Sequence, residues 1–133
     1  MTSSSVLTGI RDTTSDLSSK ITDYIQKEGY RVEIFEQPLP KDDFRGLKAI
    51  KKSSPFPIIL DETVLTAFDA QWVAEEDRDH GINIKMAKSG IAVSDAILDI
   101  AKTHGLKLMI GCMTETMIGL SAALYFAAGT GAF

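Results

Sequence analysis

The sequence predicts an α/β fold, a partial TIM-type (β/α) barrel of about four parallel βα units. Short β-branched and apolar segments alternate with stretches of helical period. These segments begin at Val32, Ile58, Ile82 and Leu106, about 25 residues apart, which leaves room for the crossover helix that parallel strands require. An open doubly wound sheet often carries a GxGxxG or Walker phosphate loop, and the sequence has neither, so the barrel is favoured.

The first helix and strand follow a polar segment, residues 1–12. Thr14 or Ser15 caps the predicted helix, and Gly29 ends it. Its apolar residues recur at helical spacing and are Leu17, Ile21, Tyr24 and Ile25. VEIFE, residues 32–36, is rich in β-branched and aromatic residues and predicts the first strand, which Pro38 stops.

The second helix opens at Asp42 or Asp43, whose carboxylates accept hydrogen bonds from free N–H groups. Its apolar stripe is Phe44, Leu47 and Ile50, and its solvent-facing side is expected to carry Lys48, Lys51 and Lys52. Residues 58–61 form an apolar run without alternation, which predicts a strand buried on both faces.

The third helix opens at Glu62 or Thr63, and its inward residues are Val64, Leu65, Phe68 and Trp72. The charged residues 75–79 predict a turn. Residues 82–86 form the third strand, and the helix after it ends at Gly105. The fourth strand covers residues 106–111, and residues 116–128 form a helix so apolar that it must be covered on nearly every side.

The composition is that of one globular domain: 133 residues, 44% of them apolar, with a formal net charge of −4. An acidic surplus argues against nucleic-acid binding. The single cysteine, Cys112, and a start without a secretory signal favour the cytoplasm, and we expect Cys112 to be buried. Lys107 and Glu115 interrupt the longest apolar region, so we expect no membrane span.

The ends of the predicted strands carry the candidate chemistry, because catalytic groups of such barrels lie at the carboxyl ends of their strands. These residues are Glu36, Asp61 and Lys85, with Glu115 slightly beyond the fourth strand. Two buried carboxylates on adjacent strands require a cation, and oxygen ligands without His or Cys fit Mg²⁺. Burial beside that ion should lower the pKa of Lys85 toward that of a usable base.

Four segments carry a resemblance that covers about residues 17–133: EIFEQPLPKDD, PIILDET, NIKMAKSG and GLKLMIGCMTET. They resemble the barrel domain of the enolase superfamily, in its muconate-lactonizing and mandelate racemase branch, and most of all the dipeptide epimerases of the L-Ala-D/L-Glu type. The resemblance implies that Glu36 and Asp61 are Mg²⁺ ligands. It also implies that Lys85 exchanges the proton next to a substrate carboxylate through an enolate. The implied substrate is a small carboxylate, a dipeptide or an amino-acid derivative.

Parts of the family pattern are not recognisable in the chain. Relatives carry an opposing lysine in a K-x-K motif and a third metal ligand before the first helix, and neither is recognisable in residues 1–12. We also expect the capping domain, the early strands and the last strand, with its D-x-D pair, to be absent, so that residues 13–133 form only part of a barrel. We therefore predict that the isolated chain is inactive and binds Mg²⁺ weakly if at all.

Alternative functions remain open at this point. A cycloisomerase or an o-succinylbenzoate-synthase-like enzyme of the same superfamily would share the lysine and the proton abstraction. A partial barrel also has two unpaired sheet edges, so the chain could instead be a truncated, non-catalytic product that is stabilised by assembly with another chain or as a homo-oligomer.

Other polar residues have competing interpretations. Glu62 either supports the site by bonding to Lys85 or caps the third helix. Glu115 either contacts substrate or only adjoins a cap at Thr114 or Thr116. Lys88 and Ser89 are expected in a solvated loop. His80 is expected in a charged turn and His104 at a helix end, neither with a metal-ligand partner.

Overall fold

The computed structural model describes residues 5–8, 14–76 and 81–133. Two compact units divide the chain, Met1–Thr63 and Val64–Phe133. Strands and helices alternate along both units, and paired strands are parallel. None of the helices in the described ranges has the length and apolar character needed to cross a membrane. His80 and residues 77–79 of the predicted turn lie outside the described residues, as does most of the polar segment 1–12.

The first unit contains three strands and two helices. They are β1 (Ser5–Thr8), α1 (Ser15–Glu28), β2 (Val32–Glu36), α2 (Phe44–Ser53) and β3 (Ile58–Leu60). β2 pairs in parallel with both β1 and β3. β1 was not predicted from the sequence, because four residues inside a polar segment give no periodic signal.

Helix α1 begins and ends as predicted, at an N-cap Thr14 that accepts a hydrogen bond from the Leu17 N–H and at Gly29 with φ 72°. The buried residues of α1 are not the predicted apolar stripe, because Ser18 and Thr22 are buried together with Ile25. The Ser18 hydroxyl donates to the Pro38 carbonyl (2.8 Å), and the Thr22 hydroxyl donates to the Ser18 carbonyl (2.9 Å). Small hydroxyl residues therefore form the inward face, since each satisfies its own buried polar group.

The N-cap of α2 is Asp43, which accepts a hydrogen bond from the Gly46 N–H at 2.9 Å. Leu47 and Ile50 face the core as predicted, but Phe44 remains 44% exposed. All three residues of β3 are buried, as expected of a strand covered on both faces.

The second unit begins with α3 (Ala67–Glu76) and β4 (Gly81–Ile84) and continues with α4 (Met86–His104), β5 (Lys107–Ile110) and α5 (Met117–Thr130). β4 and β5 pair in register from Gly81 with Lys107 to Ile84 with Ile110. Helix α4 is interrupted at Gly90, whose φ of 71° and ψ of 174° lie outside the helical region, and it ends at Gly105. The predicted turn at 75–79 is wrong in its first two residues, which belong to α3.

The predicted start of α3 is wrong, and its predicted inward face is wrong at Leu65 and Phe68, whereas Val64 is buried as predicted. The helix begins at Ala67 after a reciprocal cap, in which the Asp69 carboxylate accepts from the Thr66 N–H and the Thr66 hydroxyl accepts from the Asp69 N–H. Its buried residues are Ala70, Val73 and Ala74, whereas Phe68 is 79% exposed. Small residues pack inward, and the bulky aromatic is left outside.

The expected burial of α5 on nearly every side is also wrong. Only Ala123 is buried, and the large apolar residues with more than two thirds of their surface exposed are Met117, Ile118, Leu124 and Tyr125. Helix α4 packs against α5 within this unit, and the described residues of the unit leave its other face in solvent.

Candidate active site

Two carboxylates end adjacent parallel strands of the first unit. Glu36 is the last residue of β2 and is 7% exposed. Asp61 directly follows β3 and is 4% exposed. Because β2 and β3 are parallel, both residues belong to the same edge of the sheet. The structure therefore places the two acids that the sequence singled out at the carboxyl ends of two adjacent strands of this unit.

Gln37 connects the two strand ends, and sequence patterns did not reveal this role. Its side chain is 6% exposed. Its Oε1 accepts from the Asp61 N–H (2.8 Å) and from the N–H and hydroxyl of Thr63 (3.3 and 3.2 Å). Its Nε2 donates to the Leu39 carbonyl (2.8 Å) and to Thr63 Oγ1 (3.0 Å). Two of the partners, Asp61 and Thr63, follow β3 and lie 24 and 26 residues away, so no local pattern predicts them.

Lys85 lies in the second unit, directly after β4, in the extended conformation that precedes α4. It is half-buried. Gly111 follows the neighbouring strand β5, and its N–H donates to the Ile84 carbonyl (2.9 Å). A Cβ built on Gly111 would lie 2.8 Å from Lys85 Cε and 2.5 Å from Asn83 Oδ1. The absence of a side chain at Gly111 therefore gives the Lys85 stem its path across β5.

The prediction that Lys88 is a solvated loop charge is wrong. Lys88 is half-buried in the first turn of α4, and its Nζ donates to the Val64 and Asn83 carbonyls, both at 3.4 Å. Ser89 also belongs to α4, and its hydroxyl donates to the Leu65 carbonyl at 2.8 Å. Both residues tie the start of α4 to the segment before α3, because backbone carbonyls there lack helical partners.

Glu62 does not cap α3, because that helix begins five residues later with Thr66 as its cap. It is half-buried beside Asp61. This rules out one of the two interpretations given above, and support of the site by Glu62 stays a prediction.

Glu115 is half-buried just before the N-cap of α5, which is Thr116. Its Oε1 accepts from the Met113 N–H (2.9 Å), and a Cβ on Gly119 would lie 2.7 Å from its Oε2. Glu115 thus folds over the first turn of α5. Cys112, expected to be buried, is exposed in the same loop, so the expectation drawn from cysteine's usual burial is wrong.

The two carboxylates of the first unit, Glu36 and Asp61, fit part of the coordination shell of a Mg²⁺ ion. Glu36 and Asp61 offer only carboxylate oxygens, which are the ligands this hard cation prefers. Among the residues that the structure describes, no group of three or more His, Cys, Asp or Glu side chains is arranged to hold a metal. Glu36 and Asp61 would supply two oxygen ligands to such a cation, and water or substrate would supply the others.

Comparisons with known proteins identify the fold. Residues 17–133 match the family model described as enolase C-terminal domain-like. The mandelate racemase/muconate lactonizing enzyme from Roseiflexus sp. superimposes with a TM-score of 0.91 at 36% identity, over 96% of this chain and 36% of that one. The partial (β/α) barrel predicted from the sequence is therefore confirmed.

The similar proteins include dipeptide epimerases. An L-Ala-D/L-Glu epimerase from Thermotoga maritima is 43% identical over 109 residues, which are 82% of this chain and 32% of that protein. The dipeptide epimerase from Enterococcus faecalis complexed with Mg and L-Leu-L-Tyr matches with a TM-score of 0.86 and 34% identity, over 92% of this chain and 35% of that one. The chain thus spans about a third of the length of the relatives it matches.

Proposed function

Because the chain belongs to the enolase C-terminal domain-like family, we propose that it is the segment of a Mg²⁺-dependent dipeptide epimerase that carries two metal ligands and one acid/base. The observation that carries the proposal is the pair of buried carboxylates, Glu36 and Asp61, at the carboxyl ends of β2 and β3. A dipeptide as substrate is supported by similar proteins described as dipeptide epimerases, one of them in complex with Mg and a dipeptide.

Each residue has a distinct part in the proposed reaction. Glu36 and Asp61 hold the cation, and Lys85 removes the proton from the carbon next to the substrate carboxylate and can return it to the same face. When bound, Mg²⁺ stabilises the negative charge that develops on the carboxylate oxygens. Glu62 and Glu115 are proposed to support the site or to contact substrate at its rim.

Epimerisation needs a second base on the opposite face of the substrate, and we assign none to the described residues of this chain. We therefore expect the purified 133-residue chain to show no epimerase turnover. Robust turnover by that chain, abolished by Lys85→Ala, would overturn this part of the proposal.

The test of the function is a hybrid enzyme. Residues 17–133 replace the matching segment of the Thermotoga maritima epimerase, which is 43% identical over 109 residues. We expect the hybrid to epimerise L-Ala-L-Glu only with Mg²⁺ present, and Lys85→Met to lower kcat by roughly 10²–10⁴-fold, the usual contribution of a general base. Lys107→Met, at an exposed position on β5, is the matched control. A folded Lys85→Met hybrid with full activity would contradict the proposal.

A second candidate is a non-catalytic chain that is stabilised by assembly with a second copy of itself. The exposed apolar residues of α5 favour it, because contiguous apolar surface of this kind marks an interaction site. Light scattering of the purified chain separates the candidates: a well-folded monomer at all concentrations counts against assembly.

A further inference from the structure

We infer that Gln37 is a positioning residue that sets the geometry of the Glu36 and Asp61 carboxylates, an inference that rests on the proposed metal-binding role of these acids. Gln37 has φ 38°, in the left-handed region, and no other non-glycine residue in the described part of the chain has a positive φ. Non-glycine residues adopt this region rarely, so other interactions must hold Gln37 there.

The hydrogen bonds between β2 and β3 show what holds it. The Phe35 N–H donates to the Pro57 carbonyl (2.9 Å), and the Gln37 N–H donates to the Ile59 carbonyl (2.8 Å). In a regular parallel ladder, the Asp61 N–H would next donate to the backbone carbonyl of Gln37. Instead, the Asp61 N–H donates to the side-chain Oε1 of Gln37 at 2.8 Å. The side chain thus supplies the last acceptor of the ladder after the backbone has turned away.

The other bonds of the amide fix its orientation. Nε2 donates to the Leu39 carbonyl and to Thr63 Oγ1, so neither end of the amide is available for reorientation without losing a buried bond. The Ser18 hydroxyl of α1 holds the next carbonyl, that of Pro38, at 2.8 Å. Hydrogen bonds therefore hold the turn after Glu36 both to the residues that follow β3 and to α1.

The consequence concerns both acids. Gln37 follows Glu36 directly and is bonded to the backbone N–H of Asp61, so one side chain fixes the backbone that carries each carboxylate. Residues that orient metal ligands through hydrogen bonds commonly change metal affinity strongly when replaced. This role deepens the proposed function without adding a ligand.

The test uses the full chain, with the substitution Gln37→Gly as the principal variant. Glycine accepts the positive φ without strain, so the variant removes only the side-chain bonds. Amide hydrogen exchange of Asp61 should accelerate at least about tenfold, the factor expected for loss of one net hydrogen bond. The Mg²⁺ dissociation constant, from amide chemical shifts titrated into the millimolar range, should rise about 10- to 100-fold.

Two further variants keep the test decisive. Ser54→Ala removes a pair of loop hydrogen bonds to Phe56 at the opposite end of β3, and it should change neither Asp61 exchange nor Mg²⁺ affinity. Thr63→Val keeps the backbone N–H and removes the hydroxyl, so it should weaken Mg²⁺ binding less than Gln37→Gly does. It also replaces Gln37→Gly as the test variant if the glycine variant does not fold.

The outcomes separate the two proposals. If Asp61→Asn abolishes Mg²⁺ binding and Gln37→Gly leaves it unchanged, the positioning role alone is overturned. Unchanged Asp61 exchange in Gln37→Gly overturns it as well. Mg²⁺ binding that persists unchanged in Glu36→Gln and in Asp61→Asn overturns the proposed metal role of the acids together with the positioning role. Where the chain alone binds Mg²⁺ too weakly to titrate, the same variants are compared in the hybrid enzyme.

Discussion

The carboxylate edge of the first unit, formed by Glu36 and Asp61, and the lysine edge of the second unit, formed by Lys85, differ in what positions their side chains. Near the acids, the Gln37 amide, which follows Glu36 directly, holds the backbone N–H of Asp61 through a hydrogen bond. The side chain of Lys85 has room because the neighbouring Gly111 has no Cβ, which would otherwise lie 2.8 Å from the Lys85 Cε. In the proposed reaction, the two acids must hold a set ligand geometry, and the lysine must reach the carbon next to the substrate carboxylate.

Backbone conformation follows the same division. Near the acids, the positive φ belongs to a non-glycine residue, Gln37, held by its side chain. Near the lysine, it belongs to Gly90, where no side chain takes part. Substitutions near the acids should therefore destabilise the chain through lost hydrogen bonds, and substitutions near the lysine through steric overlap or backbone strain.

The largest effect on stability is expected at the lysine edge. Gly111→Val should lower the free energy of unfolding by about 3 kcal/mol, because the new side chain overlaps Asn83 and Lys85. Urea denaturation measures it. The control is Gly129→Ala in α5, where an added Cβ meets nothing within 4 Å and should stabilise the chain by about 0.5–1 kcal/mol. Equal effects at both glycines would contradict the steric account.

A smaller loss is expected at the break in α4. Gly90→Ala should cost about 2 kcal/mol, because φ 71° with ψ 174° is a conformation almost confined to glycine. Space is not the cause, since a Cβ there meets nothing within 4 Å. A Tm equal to that of the wild-type chain would show that the helix straightens at no cost.

The smallest effect on folding is expected on the exposed face of α5. Ile118→Lys and Tyr125→Lys should each change the free energy of unfolding by no more than about 0.5 kcal/mol, because both side chains are at least 80% exposed. If copies of the chain associate through this face, both variants should shift light scattering toward the monomer. Association that is unaffected by either lysine would place the contact elsewhere.

Sequence patterns predicted the elements whose signals are local. The bounds of β2, the Thr14 cap of α1 and the terminal glycines of α1 and α4 follow from residue type and spacing, and all are confirmed. The same spacing identified Glu36, Asp61 and Lys85 as strand-end residues. Their chemical roles stay predictions.

What the sequence did not reveal depends on distant partners or on packing. Gln37 reaches Thr63 across 26 residues, and Gly111 matters only because Lys85 lies on the neighbouring strand.

The buried face of α1 also differed from the predicted one, because Ser18 is buried while Tyr24 is 58% exposed. A small serine lets α1 pack closely and satisfies its hydroxyl by donating to the Pro38 carbonyl, whereas an aromatic ring would prevent this close packing. In α1, apolar periodicity was therefore wrong at Leu17 and Tyr24 and right at Ile25.

The central claim is that the two acids and Lys85 serve one substrate, and paramagnetic relaxation tests it without requiring turnover. Mn²⁺, which accepts the same carboxylate ligands as Mg²⁺, is titrated into the chain while the side-chain ε-carbon signals of its lysines are followed. The proposal predicts that Mn²⁺ broadens the amide of Asp61 and the ε-carbon of Lys85, and that exposed Lys107 is spared. Broadening at Asp61 that leaves Lys85 as sharp as Lys107 would contradict it.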